Sequence, residues 1–181
     1  MRIVIASDIH GSALYCGRLL DAFEREDADR LLLLGDILYH GPRNALPEGY
    51  APMDAAALLN AHASSILCVR GNCDADIDQM VLQFPILADY CLLYAGGRTI
   101  FATHGHLYNT SSLPPLHAGD ILLHGHTHVP CWEPFGEENL YVNPGSVSIP
   151  KENTPRGYIL LTDEEMIWKD LDGSEYHRLT L

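Results

Sequence analysis

With 181 residues, 47% hydrophobic and 19% charged, the chain has an ordinary globular make-up, and its length predicts one domain over 1–181 that buries roughly 70% of its unfolded surface. A net charge of −13 argues against a nucleic-acid polymer as partner, which needs a basic face, and no apolar run approaches the ~20 residues of a membrane span. The N-terminus enters a strand with no signal-peptide layout, and five cysteines (Cys16, Cys68, Cys73, Cys91 and Cys131) form no CxxC pair, so a reducing, cytoplasmic setting is expected and neither a disulfide framework nor a thiolate zinc site is.

The first half alternates strand and helix. A strand at about 2–7 precedes a helix at 12–26, and a strand at 31–35 leads through a long loop to a helix at 53–62. A strand at 66–70 precedes a short helix near 75–83. This is βαβ patterning and predicts a largely parallel sheet. The second half turns to short strands at about 89–94, 98–103, 120–124, 129–135, 139–142, 157–162, 166–170 and 175–180. Turns are expected at Gly96-Gly97, Glu137-Glu138-Asn139 and Asp172-Gly173. The sum is two packed sheets with helices outside.

Most of the apolar runs end in a Gly-containing turn with a potential metal ligand. The clusters are Asp8-Ile9-His10-Gly11, Gly35-Asp36, Gly71-Asn72-Cys73-Asp74, His104-Gly105-His106 and Gly125-His126-Thr127-His128. Ligands in open α/β sheets bind at the carboxyl ends of strands, so Asp8, His10, Asp36, Asn72, His104, His126 and His128 can converge on one point. Asp8 and His10 sit two apart; on an extended segment they share a face, and His126 and His128 repeat the spacing. Carboxylate oxygen with imidazole nitrogen suits Mn²⁺, Fe²⁺, Zn²⁺, Co²⁺ or Ni²⁺. The Asp36 carboxylate has two oxygens with which to bridge two cations. Asn72 offers a neutral oxygen and an amide donor for a substrate oxygen. A two-metal clamp is suited to phosphoryl chemistry, with a bridging hydroxide attacking phosphorus. Such cations reverse the local field, so net charge does not exclude a phosphate substrate.

In this order, Asp-x-His, Gly-Asn-x-Asp and Gly-His-Thr-His, with Gly-Asp and a strand-end His between them, resemble the calcineurin-like metallophosphoesterase superfamily, from Arg2 to about Pro150. Ser7 to Ser12, the loop His40 to Pro52, Val69 to Asp74 and Asn143 to Ser148 narrow the resemblance to its YfcE-type bacterial phosphodiesterases. The resemblance implies a four-layer αββα sandwich of two mixed sheets and two divalent metal ions per chain, manganese first among them. It implies that Asp8, His10 and His128 bind one ion, that Asn72, His104 and His126 bind the other, and that Asp36 bridges. The expected reaction is metal-dependent hydrolysis of a small-molecule phosphodiester. A phosphomonoesterase and a non-catalytic scaffold on the same fold are the alternatives, and intact ligand positions argue against the scaffold.

One position departs from much of the superfamily. Where a His follows the metal-binding Asn and protonates the leaving group, this chain has Cys73, a weak donor. Asp74 supports Cys73, caps the following helix, or does both. The Pro- and Gly-rich loop from His40 to Pro52 is expected to wall the substrate pocket or a subunit contact in a dimer or tetramer, with His40 and Arg43 as candidate substrate contacts. His106 is either beside the ligands or an exposed polar residue. His124 is expected to face away, and Asn143-Pro144-Gly145-Ser146 to serve as structural support.

Overall fold

The structure, a computed structural model, describes residues 1–181. Its strands are β1 (Ile3–Ala6), β2 (Arg30–Leu33), β3 (Ile66–Cys68), β4 (Tyr90–Ala95), β5 (Arg98–Thr103), β6 (Ile121–His124), β7 (Pro130–Phe135), β8 (Asn139–Pro144), β9 (Gly157–Leu161), β10 (Glu165–Asp170) and β11 (Glu175–Thr180). They form a six-stranded sheet in the order β11-β10-β9-β1-β2-β3 and a five-stranded sheet in the order β4-β5-β6-β8-β7. Both are mixed. β1 pairs parallel with β2, and β2 with β3, while β9 runs antiparallel to β1. β5, β6 and β8 are parallel neighbours.

Side-chain alternation explains the layering. Ile3, Ile5, Leu32 and Leu34 point one way and pack with Ile100, Ala102, Ile121 and Leu123 of the second sheet. Val4, Ala6, Leu31 and Leu33 point the other way, against α1 (Ala13–Arg25) and α2 (Pro52–Asn60). The buried stripe of α1 is Tyr15, Cys16, Leu19, Leu20 and Phe23, at helical spacing. A fully buried leucine such as Leu19 contributes about 1.5–3 kcal/mol. Ser12 caps α1 by accepting from Tyr15 N at 3.2 Å, and Pro52 opens α2 where a missing N–H costs nothing.

Two sequence expectations change. The short helix near 75–83 is only a 3₁₀ turn at Asp78–Met80. The segment has no apolar stripe to bury, with Ile77 and Met80 66% and 78% exposed, and Asp74 spends its carboxylate elsewhere, as described below. The two mixed sheets are as expected, but helix covers only the six-stranded one. No α-helix follows α2. The outer face of the five-stranded sheet is covered in part by irregular chain, where Tyr108 meets Phe101 edge-on and Phe101 stacks on Tyr90.

No helix is long and apolar enough to cross a membrane. All five cysteines are free.

Candidate metal centre

The parallel strands β1, β2 and β3 of one sheet and β5 and β6 of the other end at the same edge of the sandwich. The turns that follow them carry all seven candidate ligands. Those turns are tight. Asp8, His10, Asp36, His126 and His128 all have positive φ, between 49° and 67°. A non-glycine residue in this region costs about 1–2 kcal/mol, so five of them at one spot mark backbone strain concentrated at a functional site. This corrects the expectation of an extended Asp8-to-His10 segment: β1 ends at Ala6, and left-handed turns aim the two side chains. Gly35 and Gly71 let β2 and β3 converge there, because a Cβ on Gly35 would overlap the Gly71 backbone.

Two donor groups result. In the first, the His10 and His128 Nε2 atoms are 3.3 Å apart, and each faces Asp8 Oδ1, at 3.5 and 3.3 Å. In the second, His104 Nε2 lies 3.1 Å from Asn72 Oδ1, 3.1 Å from His126 Nδ1 and 3.5 Å from Asp36 Oδ2. The same Asp36 Oδ2 is 3.7 Å from His10 Nε2, which places it between the groups. His126 and His128, neighbours but one in sequence, thus serve different groups.

The rings are pinned. His10, His104 and His128 each donate Nδ1–H to a backbone carbonyl, of Tyr39 (2.8 Å), Leu34 (2.7 Å) and Ile149 (2.6 Å) respectively. A neutral ring so held presents a lone pair at Nε2. Lone pairs and carboxylate oxygens therefore face one another across both groups, and Asp8 Oδ1 is buried with no hydrogen-bond partner. Acceptors gathered in this way repel unless a positive charge lies among them. The Asp, His and Asn set fits divalent cations, and the carbonyl partners are the orienting contacts that metal-binding histidines ordinarily have.

Protons perform that task when no metal does. Burial alone would push His104 down, but Asp36 and Asp8 outweigh it and raise its pKa to about 9. Burial would push Asp8 up, yet the imidazoles of His10 and His128 hold it well below the carboxylate range. Metal binding must therefore displace the His104 proton. Between the ordinary value of 6.5 and about 9, the stabilisation that protonated His104 gives the metal-free protein is lost, while metal affinity rises by about tenfold per pH unit. Calorimetric titration with Mn²⁺ in buffers of different ionisation heat is expected to show proton release at pH 7. No release at pH 7 would mean that the site is already deprotonated.

The surroundings hold the ligands in place. Asp74 caps no helix. Its carboxylate accepts from Asp36 N (2.9 Å), Ile37 N (2.8 Å) and Gly71 N (2.7 Å), tying the β2 turn to the β3 turn. Fully buried Asn143 donates to Gly125 O at 2.9 Å, and Ser146 and Ser148 donate to Asp8 O at 2.9 and 3.1 Å. The Asn143-to-Ser148 segment is thus a structural support. Cys73 N donates to Asp36 Oδ1 at 2.8 Å, and Cys73 Sγ accepts from Asn72 Nδ2 at 3.2 Å.

Above the ligands lies an open cleft of about 330 Å³, lined by Asp36, Asn72, Cys73, His126 and His128 below and by Arg43, Asn44 and Lys151 at its mouth. The His40-to-Pro52 loop divides in two. Its first half walls this cleft. Its second half is bound to the start of α1 through Ser12 Oγ to Glu48 O (2.6 Å) and Ala13 N to Gly49 O (2.9 Å). His40 does not line the cleft. It packs edge-on between Tyr39 and Tyr50, with centroids at 4.8 and 5.3 Å, and its carbonyl accepts from Asn44. His124 is buried against Tyr141, and burial pushes its pKa down to about 4. His106 is half-buried, 5.4 Å from the His104 ring centroid. Lys151 was not singled out by its sequence surroundings, although only one other lysine, Lys169, occurs in the chain.

A family model described as the calcineurin-like phosphoesterase superfamily domain matches residues 1–166. Phosphodiesterase YfcE of Escherichia coli (strain K12) is 48% identical over 164 residues, which is 91% of this chain and 89% of that protein. The probable metallophosphoesterase YsnB of Bacillus subtilis (strain 168) is 28% identical over 171 residues, 91% of this chain and 85% of that one. The solved structure of E. coli YfcE, described as a phosphoesterase, matches with a TM-score of 0.93 at 45% identity, covering 99% of this chain and 98% of that one.

Proposed function

The chain belongs to the calcineurin-like phosphoesterase superfamily, and we propose that it is a phosphodiesterase using two divalent cations, manganese first among them, to cleave a small-molecule diester. One observation carries this reading: two groups of mutually facing acceptor atoms share Asp36 between them at the floor of an open cleft. The likeness to a protein named phosphodiesterase supports diesters over monoesters. Asp8, His10 and His128 would hold one cation, Asn72, His104 and His126 the other, and Asp36 both. When bound, the cations supply positive charge that activates a water and neutralises the phosphoryl oxygens. The five free cysteines support a reducing, cytoplasmic setting.

The protein's own groups orient and protonate. Backbone carbonyls fix the ring of every Nε2 ligand. Cys73 lines the cleft at the position where many relatives have a general acid. Burial, then the Asp36 and Asp74 carboxylates, raise its thiol pKa far above the ordinary value, so Cys73 stays protonated and donates weakly. Departure of an acidic alcohol such as nitrophenol needs no such help. A general acid is typically worth 10²–10⁴-fold. Cys73→His is therefore expected to raise rates on alkyl esters by about 10²-fold and on nitrophenyl diesters by no more than about threefold. Rate plotted against leaving-group pKa gives a shallower slope for the variant. Equal slopes would return Cys73 to a packing role.

The test of the function is a Mn²⁺-dependent assay on an aryl diester, an aryl monoester, cyclic nucleotides and single-stranded DNA. The diester is expected to be cleaved fastest, and chelator to abolish its turnover. Faster monoester cleavage would favour a phosphomonoesterase, and full turnover after metal stripping would remove the two-cation mechanism.

A further inference from the structure

The chain has 11 basic residues. Most are engaged. Arg2 and Lys169 reach Glu26, Arg18 reaches Asp172, and Arg178 reaches Glu165 and Glu175. Arg25, Arg30, Arg70 and Arg98 donate to backbone carbonyls, and Arg156 lies over the Tyr15 ring. The two that remain, Arg43 and Lys151, are the only basic side chains without a protein partner, and both line the cleft over the candidate metal centre. In a chain of net charge −13, this pairing of free cations at one cleft calls for a ligand.

Lys151 is carried by fixed backbone. Lys151 N donates to the carbonyl of His128 at 3.2 Å, and its own carbonyl accepts from Thr154 N at 3.0 Å and Thr154 Oγ1 at 2.7 Å. The next residues, Glu152 and Asn153, have φ of 55° and 58°, so the turn is a tight one. Arg43 lies beside Asn44, whose amide donates to His40 O at 2.9 Å. The cleft between them is mostly polar, with Pro42 and Cys73 its only apolar side chains. It offers no apolar face on which an aryl ring or nucleobase would stack.

A diester carries a single negative charge, which two divalent cations already meet. Two further cations above them match a second negative group. We propose that Arg43 and Lys151 form an anion subsite, and that the substrate is a phosphodiester in which one ester substituent carries a phosphate or a carboxylate. An arginine fork grips either group through two hydrogen bonds, and a lysine adds a point charge. This rests on the phosphodiesterase reading above and specifies its substrate class.

Three substrates test it, all with nitrophenol as the departing group: the 4-nitrophenyl phosphodiesters of glycerol, of glyceric acid and of glycerol phosphate. With Mn²⁺, the wild-type kcat/KM is expected to favour at least one anionic ester over the neutral one by about 10²-fold, roughly tenfold per cation, mainly through KM. The carboxylate and phosphate arms tell which anion is preferred. Arg43→Gln and Lys151→Gln each lose about tenfold on that ester and at most threefold on the neutral one, and Lys151→Glu brings the neutral ester to the fore. One rate for all three esters, or an equal loss on all three in the variants, would overturn the subsite alone. Hydrolysis of none would overturn the phosphodiesterase reading and the subsite with it.

Discussion

Asp36→Asn is expected to lower Mn²⁺-dependent turnover about 10³-fold and to reduce bound metal from two ions per chain to one or none. The size follows from the loss of several kcal/mol of charge stabilisation at a cation pair, at about 1.4 kcal/mol per tenfold. Asp36 Oδ2 stands 3.7 Å from His10 Nε2 and 3.5 Å from His104 Nε2, between two groups that otherwise share no ligand. A neutral amide has one acceptor and no charge to give to both. The fold survives the change, because the amide oxygen still accepts from Cys73 N, as Asp36 Oδ1 does at 2.8 Å. His117→Ala, at an exposed position, is the control and keeps wild-type rates. His177 is unsuited to that purpose, since its ring stacks on Trp132 at 3.9 Å. Two metals per chain and more than a tenth of the activity in Asp36→Asn would remove the bridging role.

Asp74→Ala is expected to cost about 3–5 kcal/mol of stability in the metal-free protein and to weaken metal binding about 10–100-fold. Asp74 touches no substrate position. Its carboxylate holds three backbone N–H groups, of Asp36, Ile37 and Gly71, and each one stranded in the interior costs about 1–3 kcal/mol. Two of the three flank the left-handed Asp36, so the loss also frees the Asp36 carboxylate to move. Asp74→Asn keeps one acceptor oxygen and turns the other into a donor facing a donor, which gives an intermediate loss. Urea unfolding of the metal-free proteins and Mn²⁺ titration measure the two effects separately. Unfolding within about 1 kcal/mol of wild type, with unchanged affinity, would show that Asp74 is not what positions Asp36.

The strands were legible because apolar runs bounded by glycine turns leave little else for the chain to form. Strands β4, β5 and β6 lie within one residue of expectation. The seven candidate ligands were legible by their order and by their place after strands. Their geometry was not. The left-handed Asp36 and His128 are held by partners such as Asp74 and Ile149 O, which lie far from them in the chain. The 75–83 segment misled because Asp74 reads locally as a helix cap, while its partners lie across the sheet at Asp36 and Ile37. Lys151 was missed because it follows the last candidate ligand, His128, by 23 positions and enters the cleft only through the turn tied to His128 O. The one signal in the sequence is rarity, for the chain's only lysines are Lys151 and Lys169.

The arrangement of cations is tested most directly by a crystal grown with Mn²⁺ and examined by anomalous scattering. Two peaks are expected, about 3.5–4 Å apart, one among Asp8, His10 and His128, the other among Asn72, His104 and His126, with Asp36 contacting both. A single peak, or two peaks with Asp36 bound to only one, would contradict the account.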